Sequence, residues 1–309
     1  MPAAPWIERL TVYPIKGLRG IDVKQARLSP FGLENDRRLM LTDVGGRFLS
    51  QRTHPELTHF EVAFGVEGTL TVSHPEKGSI VLPLRPDGRK AAGGALASGQ
   101  ADVSSQAAPS DQAGASQLAR VSGISGASRS RSRDVVIWGD RVQATTVSPE
   151  ADAFFSDVLA EAVELVWMPD DADRVADPEW APDGHRVSFA DGFPILVLGS
   201  ASITELNARL VTPVSSRRFR ANVLIGGSAA WAEDEWRTLE TESARLDLVK
   251  PCARCVVIAT DQQTGERSRE PTATLATYRV RHGKVMVGMN AVAGPSGGLL
   301  TVGQPIRII

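Results

Sequence analysis

The chain has 309 residues, enough for one large domain or two ordinary ones, and its 42% apolar and 23% charged content is that of an ordinary soluble protein. A formal net charge of −2 argues against nucleic acid or an anionic membrane surface as the partner. Two cysteines cannot build a disulfide framework, so a reducing, cytoplasmic setting is the expectation.

Met1, Pro2, Ala3, Ala4 and Pro5 do not read as a secretion signal, and a structured pattern begins at Trp6. From there to Leu84 the chain reads as short strands separated by Gly and Pro. Ile7, Arg9, Thr11 and Tyr13 alternate with Glu8, Leu10 and Val12 until Pro14 stops the run. Leu39-Met40-Leu41 meets the turn signal Asp43-Val44-Gly45-Gly46 before Arg47-Phe48-Leu49. Leu70 and Val72, then Ile80, Leu82 and Leu84, keep a period of two. Such a series predicts a barrel or sandwich rather than a doubly wound sheet.

Residues 88–133 are dominated by Ala, Gly, Ser and Gln and contain no aromatic side chain. They cannot bury enough apolar surface to offset the entropy of ordering, which predicts a disordered insertion. The tail Arg129-Ser130-Arg131-Ser132-Arg133 reads as a solvated charged linker in preference to an RNA contact. Order resumes with a strand at Val135-Val136-Ile137-Trp138, closing on Gly139-Asp140. Ser148-Pro149-Glu150 then predicts a helix start, with a hydroxyl cap, proline at the first helical position and an acid in the first turn. Phe154, Phe155, Val158, Leu159, Ala162 and Val163 supply its apolar face.

The longest apolar run, Phe193-Pro194-Ile195-Leu196-Val197-Leu198, is far short of the ~20 residues that span a bilayer. A second helix follows it, capped by Ser200 or Ser202, with Ile203, Leu206 and Leu210 facing the core. Strands are expected again at 223–225, 246–248, 256–260 and 284–287.

The chemistry concentrates at Lys250-Pro251-Cys252-Ala253-Arg254-Cys255, which holds both cysteines between cations. A thiolate is a soft metal ligand and a nucleophile, and neighbouring positive charge eases its formation. Tetrahedral zinc needs about four N/S ligands, and the five histidines are scattered without ligand spacing. A thioredoxin-like pair should open a helix, whereas 256–260 reads as a β-branched strand. Two inert buried thiols are the plain alternative. Three basic segments weigh against it: Pro14-Ile15-Lys16-Gly17, Asp36-Arg37-Arg38-Leu39, and Arg217-Arg218-Phe219-Arg220-Ala221-Asn222. Arginines at strand ends suit bidentate recognition of phosphate or carboxylate, so together they suggest a pocket for an anionic cofactor.

Tyr13-Pro14-Ile15-Lys16-Gly17, Gly32-Leu33-Glu34-Asn35-Asp36-Arg37, Phe219-Arg220-Ala221-Asn222 and the cysteine segment resemble the MOSC family. They resemble in particular its two-part members, the amidoxime-reducing components and their bacterial counterparts. Phe189-Ala190-Asp191-Gly192-Phe193-Pro194 and Trp231-Ala232-Glu233-Asp234 extend the likeness over almost the whole chain apart from the insertion. The fold this implies is β-rich α+β: a small N-terminal β-barrel domain and a C-terminal MOSC β-barrel domain with a few flanking helices. The expected division is 1–87 for the first part of the N-terminal domain and 88–133 for the insertion. Residues 134–170 would complete that domain with a linking helix, and 171–309 would form the MOSC domain.

The resemblance also implies a molybdenum cofactor (Mo-molybdopterin) with Cys255, not Cys252, as metal ligand and catalytic residue. Lys16, Arg37, Arg220 and Arg254 would grip the pterin phosphate and polar edges. Gly17, Asp191, Gly192, Asn222, Ala253 and Asn290 fall at other cofactor-contact positions, although Gly17 and Ala253 stand where the relatives carry serine. The implied activity is reduction of small N-hydroxylated substrates, with electrons from a separate flavin-reductase or ferredoxin-type protein. No cysteines remain for an iron–sulfur cluster, and neither nucleic acid nor membrane is expected as a partner. A cofactor carrier or sulfur-handling protein without turnover is the alternative role.

Overall fold

The computed structural model describes residues 4–87 and 131–309. Most of the expected insertion therefore lies outside the described residues. Its expected end is corrected, because Ser132 and Arg133 already pair with Thr145 and Ala144 in a strand. A ladder satisfies backbone groups whatever the side-chain polarity, so composition alone did not mark that edge.

The N-terminal half begins with β1 (Trp6–Val12), β2 (Ile21–Val23), β3 (Gln25–Ser29), β4 (Gly32–Leu33) and β5 (Leu39–Asp43). An antiparallel meander follows, β6 (Glu61–Phe64), β7 (Thr69–His74) and β8 (Gly78–Pro83). The hairpin β9 (Ser132–Ile137) and β10 (Asp140–Thr146) leads to helix α1 (Pro149–Leu159) and β11 (Val163–Trp167), giving a sheet of order β5-β11-β10-β9. The Ser148 hydroxyl caps α1 by accepting from Ala151 N at 3.1 Å, as its sequence predicts. Phe155 of α1 is fully buried with Leu41, Phe60, Val72 and Leu165 in the core of this half.

The C-terminal half contributes β12 (Ile195–Gly199), α2 (Ser200–Arg209), β13 (Val223–Gly226), β14 (Thr238–Glu240) and β15 (Arg245–Ala253). It continues with α3 (Thr272–Leu275), β16 (Val280–Arg281), β17 (Lys284–Ala293), β18 (Gly298–Thr301) and β19 (Arg307–Ile308). Its main sheet runs β19-β14-β15-β17-β12-β13-β1-β2, with β16 on β17. The N-terminal strand β1 is thus a member of this sheet, antiparallel to β13, and β3 pairs with β18. Among the described residues no regular ladder closes the sheet, but Trp6 bridges Pro305, and Ile7 N and Ile306 N donate to Gln304 and Pro5 carbonyls at 3.0 and 2.8 Å. The two ends meet there, around an interior of Leu10, Val197, Val223, Ile225, Leu248 and Met289.

Two local expectations are corrected. Residues 256–259 form one turn of 3-10 helix, not a strand. The β15 ladder has ended, Ile258 N and Thr260 N close i→i+3 bonds, and burying Ile258 against Leu196 and Phe219 outweighs β propensity. Helix α2 has Gly199 at its N-cap and no side-chain cap. The Ser202 hydroxyl is engaged elsewhere, donating to Glu233 Oε2 at 2.8 Å and accepting from Trp231 N at 2.7 Å.

Candidate functional site

Strand β1 runs out through Tyr13 and Pro14 to Ile15, which bridges Leu39 in parallel, while Lys16 N donates to Leu39 O at 2.8 Å. This brings Lys16 to the seam between the two halves. Its side chain is 7% exposed, and Nζ donates to Phe189 O at 2.8 Å and to Asp191 Oδ1 at 2.5 Å. Burial lowers the ammonium pKa, and Asp191 opposes that shift. Against desolvation, which would raise it, the Lys16 charge and hydrogen bond hold the Asp191 carboxyl well below the usual carboxylate range. Asp191 itself is 67% exposed, so the pair sits at a mouth rather than in a sealed core. Gly17 takes a left-handed backbone (φ +89°) that favours glycine, and its carbonyl accepts from Gln51 Nε2 at 2.7 Å.

Arg37 and Arg220 both lie over the buried Tyr13 ring, their guanidinium carbons 4.6 and 4.4 Å from its centroid. The ring offers its electron-rich π face to each cation. Arg37 Nη1 donates to Asp36 Oδ2 at 2.5 Å and to Asn222 Oδ1 at 3.1 Å, and Nη2 to Arg220 O at 3.3 Å. Burial, opposed by Tyr13 and reinforced by the Arg37 charge, lowers the Arg220 pKa to about 10. Both arginines occupy left-handed backbone, φ 48° and 53°, where a branched side chain is costly and functional sites concentrate. Asn222 is 1% exposed and spends its whole amide on protein groups. Nδ2 donates to Thr11 O and Asp36 Oδ1 at 3.2 and 3.0 Å, and Oδ1 also accepts from Leu196 N at 3.1 Å.

The cysteine segment forms the end of β15. Lys250 pairs with Asn290 of β17, which pairs in turn with Leu196 of β12, the residue bonded to Asn222. Arg254 Nη2 reaches Phe219 O at 2.6 Å, tying the cysteines to the loop that carries Arg220. Cys252 Sγ accepts from Arg254 Nη1 at 3.1 Å, and the residue packs against the core beneath α2. Cys255, half-exposed at the N-cap of the 3-10 turn, has no hydrogen bond to its sulfur among the described residues. Past the end of β15, Arg254 N donates to Val285 O at 2.8 Å. Both thiols are free, so the two cysteines are not bridged in this conformation. No group of three or more His, Cys, Asp or Glu suited to a metal occurs among the described residues.

The expected residues thus divide. Lys16, Gly17, Arg37, Asp191, Arg220, Asn222 and Arg254 belong to one hydrogen-bonded neighbourhood, joined through Phe189, Gln51 and Gln262. Gly192 and Ala253 are exposed, and Asn290 is half-buried in the strand row. The structure adds Asp36, fully buried, which accepts from Tyr13 N, Asn222 and Arg37. It also adds Arg174, 5% exposed, whose guanidinium donates to the carbonyls of Ser188, Ala190 and Asp191 and so fixes the Asp191 loop. Asp36 was visible inside a motif; Arg174 carries no local signal. Two guanidinium nitrogens of the cluster, Arg220 Nη2 and Arg254 Nε, are buried without an acceptor.

Two family models match the chain, a MOSC N-terminal β-barrel domain over residues 4–113 and a MOSC domain over residues 184–307. Molybdenum cofactor sulfurase from Oryza sativa subsp. japonica is 26% identical over 301 residues, covering 92% of this chain but only 32% of the sulfurase. Mitochondrial amidoxime-reducing component 1 from Mus musculus is 26% identical over 326 residues, 98% of this chain and 82% of the relative. The human protein of the same name is 25% identical over 88% of this chain and 72% of its own length. No helix among the described residues is long and apolar enough to cross a membrane. The chain belongs to the MOSC family, as a two-part member with a MOSC N-terminal β-barrel domain ahead of a MOSC domain.

Proposed function

We propose that this protein binds a molybdenum cofactor in its molybdopterin form and reduces small N-hydroxylated compounds, taking electrons from a separate donor protein. The observation that carries the cofactor reading is the pair of buried donors without acceptors, Arg220 Nη2 and Arg254 Nε. Leaving a buried polar group unpaired costs ~1–3 kcal/mol, which an oxygen-rich anion at this place would recover. Lys16, Arg37, Arg220 and Arg254 outnumber Asp36 and Asp191, so the cluster keeps an excess of positive charge for such a group. The donor set therefore fits.

In this reading Lys16, Arg37, Arg220 and Arg254 hold the phosphate and polar edges. Asn222 and Asp36 orient Arg37 from behind. Gly17, Gly192 and Ala253 offer backbone, and a Cβ on Gly192 would meet nothing within 4 Å, which leaves that approach open. Cys255 is the metal ligand, because its sulfur is uncommitted while that of Cys252 is held by Arg254. When bound, the cofactor supplies the electron and oxygen-atom chemistry; the protein contributes orientation and electrostatics. The amidoxime-reducing relatives, matched over most of both chains, support N-hydroxylated substrates.

Molybdenum and oxidised-pterin fluorescence measured on the wild type, Cys255→Ala and Cys252→Ala test the assignment. Cys255→Ala is expected to lose metal ligation and benzamidoxime reduction under a chemical electron donor, and Cys252→Ala to keep both. Equal effects of the two substitutions would overturn it. The sulfurase match over 92% of the chain favours one second reading, a cofactor carrier. Transfer of bound pterin to an apo-enzyme without turnover of any N-hydroxylated compound is the outcome that would support it.

A further inference from the structure

The turn of the β9–β10 hairpin carries an aromatic residue in an unusual place. Ile137 pairs with Asp140, so Trp138 and Gly139 form a two-residue loop. Trp138 sits at φ 56°, a left-handed position that favours Gly, Asn or Asp. The residue is 43% exposed. A bulky side chain in that backbone region, turned outward, points to a role other than packing.

The ring is not idle. The Arg52 guanidinium lies over it, 4.2 Å from the centroid, and Phe48 meets its edge at 4.9 Å. Lys16 Nζ is 5.0 Å from the Phe48 ring, so an unbroken series of contacts runs from Lys16 to Arg52. The Arg52 side chain has no hydrogen bond or ion pair among the described residues, unlike the other arginines at this seam. Its backbone, by contrast, is clamped: Arg267 Nη2 donates to the carbonyls of Gln51 and Arg52, and the Gln51 side chain holds Gly17 O. The hairpin is tied to the same mouth, because Asp140 accepts from Arg174 Nε at 2.8 Å and Arg174 Nη2 donates to Asp191 O at 2.8 Å. The Arg52 charge also reaches Asp191, helping to hold that carboxyl low.

We propose that Arg52, held on the face of Trp138, is an oxyanion-binding subsite at the rim of the candidate cofactor site, taking a carboxylate or phosphate of a bound ligand. A planar guanidinium with its fork unspent is the side chain best suited to bidentate recognition of such a group. Trp138 is its positioning residue. The inference rests on the molybdopterin reading for the identity of the neighbouring site. The oxyanion has two sources, an acid group on the substrate or the phosphate of the cofactor.

Isothermal titration of the purified holoprotein with benzamidoxime and 4-carboxybenzamidoxime, alongside pterin content, separates them. If the substrate is the source, the wild type binds the carboxylated compound at least tenfold tighter than the neutral one. In Arg52→Gln that ratio falls to within twofold of unity, with pterin content kept. If the cofactor is the source, Arg52→Gln retains less than a third of the wild-type pterin. Trp138→Leu is expected to move the same readout part of the way, and Arg52→Lys, which keeps charge but loses the fork, to move it at least threefold. The last two also serve if Arg52→Gln does not fold. Wild-type values of both the ratio and the pterin content in these variants would overturn the subsite. Titration needs no turnover, so a holoprotein that binds these compounds without reducing them would sink the reductase reading and leave the subsite standing.

Discussion

Asn222 illustrates how a residue can matter to a site without touching a ligand. Its amide joins Thr11, Asp36, Arg37 and Leu196, and both of its polar atoms are spent on protein partners. We propose that it serves the site by positioning Arg37. Asn222→Ala would leave the buried Asp36 one donor short and Leu196 N unpaired, in a setting where each orphaned group costs ~1–3 kcal/mol. A loss of about 3 kcal/mol in urea unfolding is expected, with pterin retention falling in step. A change below about 1 kcal/mol would show that the network relaxes around the gap and that Asn222 does not fix Arg37.

At the scale of elements, the strands and α1 were legible because period, cap chemistry and turn residues all pointed one way. The departures occur where tertiary contacts outbid a local preference. The 256–259 turn reads as strand until Ile258 is seen to be buried, and the Ser202 hydroxyl reads as a helix cap until Glu233 takes it. The cations of the site were visible as basic residues at strand ends. That Asn222 faces inward, that Arg174 fixes the Asp191 loop, and that Trp138 carries Arg52 depend on contacts between residues well separated in the chain, 17 positions for Arg174 and Asp191 and far more for the other two.

Glu233 stands at the start of α2 in place of a conventional cap. It is fully buried, and burial pushes its carboxyl above the ordinary value despite the Ser202 and backbone hydrogen bonds that pull it down. A raised folded-state pKa contributes stability that is fully present below the unfolded value, ~4.3, and is lost as pH rises through the folded one. Glu233→Gln removes that titration while keeping the shape. Relative to the variant, the wild type should therefore become progressively less stable in urea unfolding as pH rises above the unfolded value of ~4.3. A difference independent of pH would refute the shift.

For the whole molecule, the consequential strand is β1. It lies in the main sheet between β13 and β2, and the same chain continues through Pro14 to Ile15 and Lys16 beside β5. Phe64 packs against the cores of both halves. Sheet continuity and a shared aromatic leave little for the halves to do independently, so a single cooperative thermal transition is expected. Leu10 is fully buried in the interior of the main sheet, remote in packing from the α1 core. Leu10→Ala should cost about 3 kcal/mol through lost burial and the cavity left behind. Calorimetry should then show the entire transition moving to lower temperature as one peak. If part of the heat absorption instead stayed at the wild-type temperature, the half containing α1 would be melting on its own, and the candidate site at the seam would be formed by docking two independently stable units rather than by one fold.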